Sequence, residues 1–155
     1  MSLSLTTVSG HVTGIINKCA QTLYALKVLR SQGMSADSLA VILKSVVLAK
    51  ILYASPAWWG FANSSDKDRL EAFLRRCIRL QLYRQRDPTV NQLVEDMEDQ
   101  LFTSVINNDK HVLSHIIPDP NNHNYNLRPR RHELTLAIKG DARNVFERQL
   151  FKDIY

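Results

Sequence analysis

At 155 residues, with 45% hydrophobic and 23% charged content, the chain is long enough for one ordinary core and too apolar to be disordered as a whole. Cys19 and Cys77 stand far apart without paired spacing, which excludes a disulfide framework or a zinc ribbon and fits a reducing compartment. The net charge of +5 is unevenly spread: residues 1–65 carry five Lys/Arg and one acid, 66–86 seven and three, 87–110 one and six, and 111–155 seven and five, a basic–acidic–basic order that suggests an anionic partner for the basic parts.

No basic segment followed by an apolar run trails Met1, so an intracellular protein is expected, with nucleus or cytoplasm left open. Ser9 is expected to open a first helix. Val12, Ile16, Cys19, Leu23 and Leu26 follow at spacings of four, three, four and three on one stripe, and Gly33 marks the end. Ser35 caps a second helix carrying Leu39, Ile42, Leu43, Val46, Val47, Ala49 and Tyr53, apolar round most of its circumference and ended by Pro56. The longest apolar run, from Leu39 to Trp59, is interrupted by Lys44, Ser45 and Lys50 and broken by Pro56, so it reads as a buried helix short of a membrane span; no membrane contact is expected.

The cluster Ser64, Ser65, Asp66 caps a third helix with Leu70, Phe73, Leu74, Cys77 and Ile78 inward and Arg69, Arg75, Arg76 and Arg79 over its outer faces, stopping before Pro88. Thr89 caps a fourth, with Val90, Leu93, Val94, Met97, Leu101, Val105 and Ile106 at helical spacing and an Asn107–Asp109 exit. A short helical turn over 110–117 follows. The stretch PDPNNHNYNLRP is too rich in Pro and Asn for regular structure, and RNVFERQLFKDIY regains helical spacing. The expected architecture is all-α: a helical bundle of about four principal helices with a loop-rich C-terminal extension.

No glycine-rich phosphate loop, nucleophile elbow or His-Glu-x-x-His is present, so the sequence offers no self-contained active site. Glu95, Asp96, Glu98 and Asp99 on the fourth helix read as a solvated or ion-pairing face, because two-metal chemistry needs carboxylates converging in a shaped pocket. His111 and His115 have the i, i+4 spacing of a helical zinc pair, but no Cys-x-x-Cys accompanies them and a structural role is expected. Arg69, Arg75, Arg76, Arg79, Arg84 and Arg86 suit bidentate phosphate contact, or else form a solubilising face that pairs with the acidic fourth helix. Trp58 and Trp59, with Tyr53 and Phe61, read as loop-anchoring core residues, with stacking on unpaired bases as the alternative. In NLRPRRH, Arg128, Arg130 and Arg131 lie beside Tyr125 as a phosphate-contacting arm or an exposed basic turn.

Taken in order, the blocks GHVTGIINKCAQTLYALKVLRSQGM, VVLAKILYASPAWWGFA, DRLEAFLRRCIR, LFTSVINNDKHVLSHIIP, YNLRPRRHEL and FERQLFKDIY resemble the region following the palm in reverse transcriptases of non-LTR retrotransposons of the Jockey and CR1 kind, over nearly the whole chain. The resemblance implies a thumb-like region over 1–87, a helical extension over 88–117 and a loop with a C-terminal helix over 118–155. It implies that RNA or an RNA–DNA hybrid is held by its backbone, with Arg75, Arg76 and Arg79 on phosphates; Arg69, Arg128, Arg130 and Arg131 are further candidate contacts from the basic pattern itself. The family's palm holds the catalytic Mg ions on a Tyr/Phe-x-Asp-Asp motif. This sequence has no Asp-Asp pair, so no catalytic, cofactor or metal residue is assigned to it and the chain alone is expected to be inactive as an RNA-directed DNA polymerase.

The opening SLSLTTVSGHVTGIINKC resembles a point just past that palm, so the palm motif is expected to be encoded upstream of Met1, and the palm is the expected protein partner. Some relatives end in a Cys/His zinc knuckle, which is not present here. Apolar surface that once met the palm makes self-association a further expectation. The alternatives are a helical protein–protein interaction module, in which the basic third helix pairs with the acidic fourth, and a degenerate retroelement relic with no activity.

Overall fold

A computed structural model describes residues 5–120, 132–136 and 140–152. The fold is all-α: 69% helical, without a strand among the described residues. The principal helices are α1 (Leu5–Ser31), α2 (Ala36–Ile42), α3 (Ala49–Leu52), α4 (Ser55–Trp58), α5 (Ser64–Arg79), α6 (Val90–Ile106) and α7 (Val145–Leu150). The chain divides into two compact units, Met1–Glu95 and Asp96–Tyr155, the division falling within α6.

In the first unit, α1 buries Val8, Val12, Ile15, Cys19, Leu23 and Leu26, so the stripe runs through Ile15 with Ile16 at its edge. Fully burying each such aliphatic side chain contributes about 1.5–3 kcal/mol. Ser9 lies inside α1 rather than capping it, and its hydroxyl donates to Asp66 at 2.5 Å. The end of α1 is a Schellman motif: Gly33 N–H donates to the Arg30 carbonyl and Met34 N–H to that of Leu29, with Gly33 at φ 89°. Helix α5 ends the same way, Gln81 N–H reaching Ile78 and Leu82 N–H reaching Cys77, with Gln81 at φ 57°. It therefore stops well short of Pro88.

Between α2 and α3 the helix continues through a π-helical segment, Leu43–Leu48. Twelve steps at about 100° each would leave Ile51 about 120° round from Leu39, away from the core. The wider turn of the π segment, at about 80° per residue, takes back most of that rotation. Leu39, Leu43, Val47, Leu48 and Ile51 accordingly all face the core. By length and composition alone the stretch Ala36–Phe61, which contains the run Leu39–Trp59 expected to fall short of a span, is apolar enough to cross a membrane, with an 18-residue window of mean hydropathy 1.7 that is one-third buried. The chain turns within it at Tyr53 and Ala54, the latter at φ 51°.

Caps match the sequence chemistry at two helices and correct it at a third. Ser35 accepts from Ser38 N–H at α2. Thr89 and Gln92 form a reciprocal capping box at α6, with N–H to side-chain distances of 3.3 and 2.9 Å. The cap of α5 is Asn63, accepting from Asp66 N–H at 2.7 Å, rather than the serines that follow.

In the second unit Phe102, Val105 and Leu150 are buried. The buried His132 ring accepts the Leu134 N–H on Nδ1 at 3.2 Å, which leaves Nε2 to donate to the Leu150 carbonyl at 3.0 Å, and it meets Phe102 edge-on. Residues 110–117 form a turn and a 3-10 helix, Ser114–Ile116. His111 and His115 therefore do not share a helical face.

Candidate nucleic-acid interface

Helix α5 separates its residues cleanly. Leu70, Phe73, Leu74 and Cys77 are buried on one side, and Arg69, Arg75, Arg76 and Arg79 are exposed. The neighbouring helix is α1. Ser9 meets Asp66, Thr13 meets Arg69 at 3.1 Å, and Arg30 donates to the Leu80 carbonyl at 2.6 Å. These contacts occur in the same order along both helices, so α1 and α5 run parallel. Arg30 also brings positive charge to the C-terminal carbonyls of α5, where the helix dipole favours a cation.

Arg69 differs from the other three. Its guanidinium is tied to Asp66 at 3.1 Å and to the Thr13 hydroxyl, and Asp66 is buried. Arg69 therefore links α5 to α1, although its side chain keeps 43% of its exposure. The guanidiniums of Arg75, Arg76 and Arg79 form no hydrogen bond or ion pair among the described residues. Glu71, four residues before Arg75 and suited to an i, i+4 pair, instead accepts the Asn91 N–H in the first turn of α6 at 3.0 Å.

The acidic helix is neutralised from elsewhere. Glu98 is buried and pairs with Arg148, and Asp99 accepts from Lys152 at 3.0 Å. Both partners belong to α7 or the residue pair that follows it, not to α5. Glu98 is thus a buried carboxylate rather than part of a solvated face.

Trp58 and Trp59 are buried, 5% and 6% exposed, which removes them as platforms for unpaired bases. Trp58 donates its indole N–H to the Tyr53 carbonyl at 3.1 Å, the two indoles meet edge-on, and Lys67 lies over the Trp59 ring at 5.0 Å. The exposed aromatic residues of this unit are instead Tyr24 and Tyr53, 70% and 76% exposed. Tyr24 was masked in the sequence by the apolar spacing of its neighbours. Projecting α1 at 100° per residue puts it off the buried stripe.

An open cleft of about 340 Å³ lies between α2 and residues 81–87, lined by Asp37, Val41, Lys44, Leu82, Tyr83 and Arg84 among others. Lys44 pairs with Asp87 at 3.4 Å and sits near the Tyr83 ring, so the charge of that wall is largely cancelled. Among the described residues no three His, Cys, Asp or Glu side chains converge as metal ligands. Arg128, Arg130 and Arg131 lie outside the described residues. No family model matches the chain, and no curated protein or solved structure matches it either.

Proposed function

We propose that this chain is a thumb-like piece of a non-LTR retrotransposon reverse transcriptase, holding RNA or an RNA–DNA hybrid by its phosphates while a palm carried elsewhere supplies the chemistry. The observation that carries the reading is the set Arg75, Arg76 and Arg79: three exposed guanidiniums on one helix that form no ion pair among the described residues, while Glu71, Glu98 and Asp99 are engaged with other groups. Like charges this close repel one another, and phosphate oxygens relieve that repulsion while accepting the bidentate bonds that guanidinium offers. Contact with the backbone implies little base preference.

The test is an anisotropy titration of a labelled hybrid over a range of salt concentrations. Affinity is expected to fall steeply with salt, and reversing the three arginines to glutamate should weaken binding and flatten the log–log slope by about 2 to 3. A folded triple variant that binds as the unaltered protein does would remove α5 from the interface. If the folded wild-type protein does not bind at low salt, the interaction-module reading gains ground.

A further inference from the structure

The parallel packing of α1 on α5 puts one exposed aromatic ring beside the unneutralised arginines. Tyr24 comes eleven residues after Thr13, which on an α-helix is about three turns and within about 20° of the same face, some 17 Å further along. Thr13 touches Arg69, and Arg76 and Leu80 lie about 10 and 17 Å beyond Arg69 on the parallel helix. Arg30, further along α1, meets Leu80, so interpolating between the two contacts places Tyr24 on the α5 side of α1, at the level of the turn between Arg76 and Leu80. Its ring is 70% exposed and makes no hydrogen bond or ring contact among the described residues. By contrast Trp58, Trp59, Phe73 and Tyr83 of the same unit are buried. Helix α1 contributes Lys18, Lys27 and Arg30 and no acid along its length, so nothing on it repels a phosphate.

We propose that Tyr24 is a stacking platform for an unpaired base adjoining the duplex whose phosphates meet Arg76 and Arg79. The inference rests on the phosphate-binding reading above and adds a preference to it: single-stranded nucleotides flanking a hybrid are held more tightly than a blunt end. An exposed phenol ring offers a sequence-tolerant π-face, and cationic side chains on both helices can hold the backbone on either side of the stacked base. Tyr53, equally exposed but in the turn before α4, serves as the control.

The experiment compares a blunt RNA–DNA hybrid with the same hybrid carrying a short single-stranded overhang, using the purified 155-residue chain and anisotropy at low salt. The wild-type protein should favour the overhang. Tyr24→Ala should lose affinity for the overhang form by about 5- to 100-fold while binding the blunt form unchanged. Tyr24→Phe should retain the preference, Tyr24→Leu should lose it, and Tyr53→Ala should behave as wild type. The inference is overturned if the blunt and overhang forms bind alike, or if Tyr24→Ala weakens both equally. It is also overturned if Tyr24→Leu matches Tyr24→Phe, or if Tyr24→Ala changes only the oligomeric state, which would assign the face to a second copy of the chain. In each of these cases blunt-end binding through the arginines stands. A blunt hybrid that is not held at all brings down both readings.

Discussion

Gly33 and Gln81 occupy the same backbone position at the ends of α1 and α5, the left-handed residue that closes a Schellman motif. Only glycine adopts that conformation without strain; a residue with a Cβ costs about 1 kcal/mol there. Gln81→Gly is therefore expected to raise stability by about 1 kcal/mol and Gly33→Gln to lower it by a similar amount, read from urea unfolding midpoints. The same contrast explains what was legible. The end of α1 was readable because it carries a glycine, whereas the end of α5 was not, because glutamine gives no stop signal. The outward arginines were readable from helical spacing, but the diversion of Glu71 to Asn91 was not: it depends on two helices meeting.

Helices α6 and α7 show how a charge pattern leaves two readings open when its partner is distant in sequence. Glu95 to Asp99 reads as a solvated or ion-pairing face, and the structure pairs Glu98, which is buried, with Arg148, fifty positions on, and Asp99 with Lys152. Arg148 also reaches the Arg143 carbonyl, so one side chain ties α6 to the loop before α7. Arg148→Ala leaves a buried carboxylate without its counter-ion and should destabilise the Asp96–Tyr155 unit by about 3 kcal/mol. Glu98→Gln together with Arg148→Met should recover much of that loss. Loss of helical signal on heating, compared across the single and double variants, measures the coupling.

Across the whole chain, the groups that resist ionisation set an alkaline limit on stability. Burial pushes the Cys77 thiol up to about 11, with nearby Cys19 adding to the effect and Arg76 opposing it. Burial, followed by Asp87 and Glu71, pushes the Tyr83 phenol up to about 12, and that hydroxyl donates to the Pro88 carbonyl at 2.7 Å. Both groups hold their protons more tightly when folded. Their contribution is complete below the unfolded values, near 9 for the thiol and 10 for the phenol, and is lost as pH rises through 11 and 12. Melting temperature should therefore fall progressively between pH 9 and 12. At neutral pH Cys19 and Cys77, both free and buried, should escape an aromatic disulfide reagent until urea unfolds the protein, when two thiols per chain should react. The two cysteines are 58 positions apart in the sequence and share one core; helical spacing put each on an inward face, but not the one beside the other.

The π-helical turn Leu43–Leu48 has a consequence for how the gene tolerates error. Removing one residue there, such as the outward Val46, leaves eleven steps between Leu39 and Ile51, about 20° of net rotation in a regular α-helix, so every inward side chain keeps its place. The deleted helix should simply close up. Removing Ala72 from α5 instead turns everything beyond it by about 100° and drives Arg75 and Arg79 toward the core. Of the two single-codon deletions, the first should yield a cooperatively melting protein within a few degrees of the original, and the second none.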